Sequence, residues 1–164
     1  MPKLGPATLE DVRIIFRNFE GKEGQYNRAG DRNFAVVLTK EMAEAMMEDG
    51  WNVKFPKARP DIDPEEDTRD PYLQVTVGYK GRPPRIVTIT SRGRTELSEE
   101  NVEILDWVDI AKVDLVIRPY EWEVNGRSGV KAYLKSMYVT IDEDDLDRKY
   151  ADVPDADLEE EPPF

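Results

Sequence analysis

Residues 113 to 141 read VDLVIRPYEWEVNGRSGVKAYLKSMYVTI, two long runs on either side of Asn125-Gly126. Both runs are rich in β-branched and aromatic residues and alternate with a two-residue period, which predicts strands over 113–123 and 130–141. Asn-Gly between such runs is the strongest short-range hairpin signal, because both central residues of a type I′ turn need positive φ. Working outward, the same period marks strands near 12–19, 33–38, 51–55, 72–79 and 85–91. Two short helices are expected among them. One runs over 40–49, with Thr39 as N-cap and Gly50 just past its end; the other runs over about 99–106, with Ser98 as N-cap.

Lys80-Gly81-Arg82-Pro83-Pro84 is expected to join two strands as a short hairpin. An initial strand, a hairpin, a helix and a second hairpin follow the order of the OB-fold, a five-stranded Greek-key barrel. The expected fold is therefore mainly β and OB-fold-like, with an elaborated insertion at about 24–70 before the second strand. Another small barrel, or a sandwich, has the same strand count. The expected domain is 1–141, with an exposed acidic loop at about 56–71 that holds four prolines. Residues 142–164 read as a largely disordered acidic tail.

With no cysteine and no histidine in 164 residues, disulfides, thiol nucleophiles, histidine triads and imidazole-bound metals are excluded. No cofactor and no enzymatic activity are expected. No apolar run approaches the ~18 residues of a membrane span, and Met1-Pro2-Lys3-Leu4-Gly5 lacks the apolar core of a signal peptide, so an intracellular protein without a membrane partner is expected.

Charge is unevenly placed. Residues 141–164 hold eleven acids against Arg148 and Lys149, a net −9, so of the total −12 only −3 belongs to the first 140 residues. Residues 71–95 contain Lys80, Arg82, Arg85, Arg92 and Arg94 and no acid. A nearly neutral body with a basic stretch and an acidic tail suggests nucleic acid as a partner.

Strand alternation sorts the side chains by face. Val12, Ile14 and Phe16 are expected inside, with Arg13, Arg17 and Phe19 opposite; Tyr72 is expected outside with Gln74 and Thr76. Val113, Leu115 and Ile117 turn inward, leaving Arg118, Tyr120 and Trp122 outside, while Lys131, Tyr133 and Lys135 face out from the last strand. Trp51, Phe55, Tyr79 and Trp107 are expected in the core. The outward sets pair cations with rings, as single-stranded nucleic acid requires: cations track phosphates and flat rings stack on unpaired bases. Arg13, Arg17, Arg82, Arg85, Arg92, Arg94, Arg118, Arg127, Lys131 and Lys135 are the candidate phosphate contacts, with Phe19, Tyr72, Tyr120, Trp122 and Tyr133 as stacking candidates.

The C-terminal residues Glu159-Glu160-Glu161-Pro162-Pro163-Phe164 combine a run of acids with a final ring. This tip resembles that of bacterial single-stranded DNA-binding proteins and their phage counterparts. It departs from them in carrying Glu where Asp is usual, Pro162 in place of an aliphatic residue, and no long Gly/Gln-rich linker. The body is similar to phage and prophage single-stranded DNA-binding proteins at Asp31-Arg32-Asn33-Phe34, Gly81-Arg82-Pro83-Pro84-Arg85-Ile86 and the stretch from Val124-Asn125-Gly126 to Met137-Tyr138. The resemblance implies an OB-type protein, monomeric or homodimeric, that coats single-stranded DNA in replication or recombination in the cytoplasm of a bacterial host. RNA remains open as a second ligand. Glu159, Glu160, Glu161, Pro163 and Phe164 would recruit replication or recombination proteins, and the tail would compete with DNA for the basic groove.

Two other functions fit parts of the sequence. An acidic DNA mimic that blocks a DNA-processing enzyme accords with the overall charge but not with the acid-free run. A metal-dependent nuclease would draw on Asp61, Asp63, Glu65, Glu66, Asp67 and Asp70, or on Asp142 to Asp145, but these lie in segments without the rigid placement that metal catalysis needs.

Overall fold

β1 (Ala7–Val12) and β2 (Ile14–Asn18) are two halves of one bent strand with Arg13 between them. The remaining elements are β3 (Arg32–Val37), α1 (Lys40–Asp49), β4 (Val53–Lys54), β5 (Tyr72–Val77), β6 (Arg85–Thr90), β7 (Gly93–Leu97), a 3₁₀ turn (Val102–Asp106), β8 (Ile110–Val124) and β9 (Arg127–Ile141). This computed structural model describes residues 4–25, 27–56, 60–61, 63 and 69–143.

Hydrogen-bonded neighbours follow the order β1-β8-β9-β5-β3-β2. Because β1 runs straight into β2, the path ends on the chain segment where it began, and five strands enclose a barrel. Val37 N–H donates to the Arg13 carbonyl at 2.9 Å beside the bend. Along this path every contact is antiparallel except β5 with β9, where Val75 faces Ala132 and Thr76 faces Tyr133. This is the OB-fold-like Greek-key arrangement expected from the sequence. Phe34, Val36, Leu73, Val75, Leu115, Ile117 and Leu134 fill its interior.

The bend depends on bulges. Asp11 and Phe16 have positive φ, 53° and 52°, and the register slips between Leu9 and Val12 and again between Ile15 and Asn18. An extra residue in one strand bends it and reverses the faces beyond it. Phe16 therefore turns outward, 68% exposed, and Phe19 turns inward, fully buried and stacked on Phe34 with ring centroids 5.2 Å apart. Strict alternation predicts the opposite for both rings.

The end of β2 is tied to the 3₁₀ turn. The Arg17 guanidinium donates to the carbonyls of Leu105 and Val108 at 2.9 and 2.8 Å, and the Asp106 carboxylate accepts the N–H groups of Phe19 and Glu20 at 2.7 and 3.0 Å. The turn is shorter than the expected helix over 99–106. Asn101, rather than Ser98, occupies its N-cap position, and the Asn101 side chain accepts the Ser98 N–H at 2.7 Å. α1 forms as its caps predict: Thr39 Oγ1 accepts from Met42 N–H, and Gly50, at φ 109°, closes its end.

Lys80 to Pro84 is not a hairpin turn. β5 and β6 do not pair with each other; both lie parallel to β9, β5 at Ala132–Tyr133 and β6 from Ser136 to Thr140. The connection carries the chain forward along one edge of β9. The true hairpin is β6 with β7, turned at Ser91-Arg92, and β7 has no counterpart in the expected strands. The second barrel strand, β3, lies inside the region expected to be an insertion, which shrinks to the segment between β3 and β5 holding α1 and β4. Trp51 is buried as expected and Tyr79 partly so, whereas Phe55 and Trp107 are 47% and 63% exposed.

Phe19→Ala is expected to lower unfolding stability by about 3–5 kcal/mol, the cost of emptying a buried phenylalanine site. Urea unfolding measures it; a loss below ~1 kcal/mol would contradict the inward placement of this ring.

Candidate nucleic-acid interface

β8 has β1 as an outer neighbour only as far as Ile117, and β5 contacts β9 only at Ala132 and Tyr133. Residues 118–131 therefore project as a two-stranded arm. Asn125 (φ 52°) and Gly126 (φ 78°) form its tip, both left-handed as a type I′ turn requires. Cross-strand pairing sets Arg118 opposite Tyr133, Tyr120 opposite Lys131 and Trp122 opposite Gly129.

These residues share one face and touch. Tyr120 meets Tyr133 edge to face at 5.7 Å, and the Arg118 guanidinium and Lys131 ammonium lie 5.4 and 5.5 Å from the Tyr133 centroid. The ring quadrupole holds both cations near one another, against their mutual repulsion. Gly129 is there for space: a Cβ on it would sit 2.9 Å from Cζ2 of Trp122, so its absence lets the indole lie close over the strand.

Two adjoining clefts share Gln74, Thr76, Lys131 and Tyr133 and together form a groove across β5 and β9. Under the arm its walls are Tyr120, Trp122, Val124 and Asn52; toward the β2–β3 loop they are Asn27, Asp31, Arg32, Asn33, Tyr79 and Lys80. The Asn33 amide donates to Asn27 Oδ1 at 2.8 Å. Arg32 is anchored three ways: Nε to the Phe19 carbonyl at 3.0 Å, Nη1 to Glu99 at 3.3 Å, and its guanidinium 5.3 Å from the Tyr79 ring centroid. Burial raises the Tyr79 phenol above the usual tyrosine range; Arg32 opposes this and Glu99 adds to it. A groove that offers rings, cations and amide and hydroxyl groups, with the acids Asp31 and Glu99 confined to its end at the β2–β3 loop, suits an extended strand with unpaired bases.

A family described as "Putative phage ssDNA-binding domain" matches residues 2–161. The chain belongs to this family. It is also similar to solved structures of the single-stranded DNA-binding protein from bacteriophage Enc34. A C-terminally truncated form superposes with a TM-score of 0.55 at 14% identity, over 85% of this chain and 87% of that one. The same phage protein in complex with ssDNA gives 0.53 at 17% identity, over 88% and 94%. At these identities the shared property is the fold. No curated protein matches the sequence.

In this phage ssDNA-binding domain, Arg118, Tyr120, Trp122, Lys131 and Tyr133 come together as the sequence predicts, with Arg127 following the arm's tip and Lys135 exposed on β9 beyond Tyr133. Tyr72 begins β5 on the same outer face as Gln74 and Thr76.

Other candidates are placed elsewhere. Arg13 and Arg17 line a separate cleft with Asp11, Asp109, Lys112 and Asp142; Arg13 faces Asp70 at 4.0 Å and Arg17 is held by the carbonyls near the 3₁₀ turn. Phe19 is core and cannot stack on a base. Arg82, Arg85, Arg92 and Arg94 line neither half of the groove. Arg85 approaches Tyr138 Oη at 3.4 Å and Glu96 at 3.9 Å. The acid-free stretch is divided by the fold, with β5 flooring the groove and the β6–β7 hairpin running on along β9. Glu159, Glu160, Glu161, Pro163 and Phe164 lie outside the described residues, as do Glu65, Glu66, Asp67, Asp144 and Asp145.

Gln74, Thr76, Lys80, Arg32 and Asn33 are groove residues that sequence reasoning passed over, as it did Gly129 under the Trp122 ring on the arm. Gly129 was within reach, since counting outward from Asn125-Gly126 pairs it with Trp122. Gly129→Ala is expected to lift the indole into water. In a background with Trp51 and Trp107 replaced by Phe, the emission of Trp122 should move to the red; an unchanged spectrum would mean that the ring does not lie on the glycine.

Proposed function

We propose that the chain binds single-stranded DNA without sequence preference, laying it through the groove from the β8–β9 arm across β9 and β5. The observation that carries this reading is the cluster on the arm, in which the Tyr120 ring and two cations, Arg118 and Lys131, surround Tyr133, with Trp122 lining the same cleft above Gln74 and Thr76. Trp122 and Tyr120 are half-exposed rings able to stack on bases, and Tyr72 extends the series along β5. Tyr133 holds Arg118 and Lys131 in position. Arg118, Lys131, Lys80, Arg127 and Lys135 contact phosphates, while Gln74, Thr76 and Asn33 meet sugar or base edges. Arg82, Arg85, Arg92 and Arg94 on the β6–β7 side contribute to the field that draws the strand in. The fold shared with a phage protein solved in complex with ssDNA supports the same reading.

If five phosphates are neutralised, a slope near −0.7 per contact predicts roughly a hundredfold weaker binding between 50 and 200 mM salt. Titration of tryptophan fluorescence with oligo-dT tests this, and binding that is absent or independent of salt would overturn it. Trp122→Ala should weaken binding by about 1–3 kcal/mol, the worth of one stacked base.

A role in replication or recombination, with partner proteins recruited through 159–164, belongs to the same proposal and rests on the resemblance of the tip. The eleven acids of 141–164 also suit an intramolecular competitor for the groove. Described structure continues past β9 to Glu143, whose carboxylate accepts from Ser91 N–H and Oγ at 2.7 and 2.6 Å. From there about twenty residues at ~3.3 Å each are long enough to reach the groove. Deleting residues 152–164 should tighten oligo-dT binding at low salt, and an unchanged affinity would remove the competitor role.

A further inference from the structure

Among the described residues, three besides glycine have positive φ: Asp11, Asn125 and Phe16. Asp and Asn tolerate the left-handed region because a short polar side chain can bond locally. A phenylalanine there carries a steric cost with no such return. The bulge itself has a structural cause. Phe16 and Arg17 stand opposite the single residue Phe34, between the pairs Ile15 with Ala35 and Asn18 with Asn33, and the extra residue helps bend β2 around the barrel. Closure calls for a left-handed residue at this point, but glycine, asparagine or aspartate would supply one without strain.

The aromatic ring therefore needs a separate explanation, and core packing does not provide it. Phe16 is 68% exposed, and the interior space beside Phe34 is taken by Phe19. A large apolar ring held in water on a strained backbone is unfavourable for folding on both counts, the pattern found where a ligand is to be met. Its partner indicates the ligand. Phe16 packs edge to face with Tyr72 at 5.5 Å and 75°, and Tyr72 shares its face of β5 with Gln74 and Thr76 on the groove floor.

We propose that Phe16 is a stacking platform for a base of single-stranded DNA beside the groove, on the outer face of β2 across β3 from the groove floor, braced by Tyr72. The proposal rests on the reading of the groove as a path for single-stranded DNA and lengthens that path to the outer face of β2. Tyr72 fixes the orientation of the ring, and the bulge is what brings the ring out of the barrel wall.

The test uses Phe16→Gly and Phe16→Trp in the full chain, with oligo-dT titration and thermal unfolding of each. Phe16→Gly should keep or raise the melting temperature, since glycine accepts the left-handed backbone, and should weaken binding by about five- to tenfold, the low end for one stacked base. Phe16→Trp should bind as the natural chain does and show additional fluorescence quenching on adding oligo-dT. Unchanged affinity in Phe16→Gly, or affinity and melting temperature falling together in that variant, would overturn the assignment. Failure of the natural chain to bind oligo-dT would remove the groove reading and this platform with it; normal binding by the natural chain with no effect of Phe16→Gly would remove the platform alone.

Discussion

The bent first strand is the constraint on which the rest of the molecule depends. β1 pairs with β8 and β2 pairs with β3, so one continuous piece of chain supplies both ends of the sheet. A sheet closed in this way has no long free edge along the barrel, and its five strands must coil tightly enough for the first to meet two partners. The bulges at Asp11 and Phe16 provide that coiling at two points where the register slips. They also decide which rings fill the interior, exchanging Phe16 for Phe19 against Phe34.

Closure then places β5 beside β9, the single parallel contact of the barrel path. This contact sets Gln74 and Thr76 against the base of the β8–β9 arm and makes a groove out of two elements that are distant in sequence. The arm supplies rings and cations; β5 supplies the uncharged Gln74 and Thr76, and the β2–β3 loop Asn27 and Asp31. A chain of net charge −12 can present such a surface because register, and not composition, determines where its cations gather. Tyr133 shows how: its ring lies within 5.5 Å of both Arg118 and Lys131.

Much of the arm was legible without coordinates. Asn125-Gly126 fixes the turn, the turn fixes the register, and a period of two then sorts Arg118, Tyr120 and Trp122 to one face with Lys131 and Tyr133 opposite. The ends of α1 were legible for the same local reason, Thr39 and Gly50 being capping residues whose effect extends over one turn. The acid-free run was visible as composition, but its division between the groove floor and a separate hairpin was not.

By itself, then, the sequence determined the β class, the arm with its cation and ring pattern and the first helix, because these follow from side-chain period and turn chemistry within a few residues. Tertiary structure decided the fates of Phe16 and Phe19, the role of Arg17 at the 3₁₀ turn, the forward passage of Lys80 to Pro84 along β9, and the meeting of β5 with the arm. Each of these comes from closing the barrel. A bulge reverses the faces for a reason located in partner strands, and a parallel contact between β5 and β9 leaves no mark in the alternation of either strand.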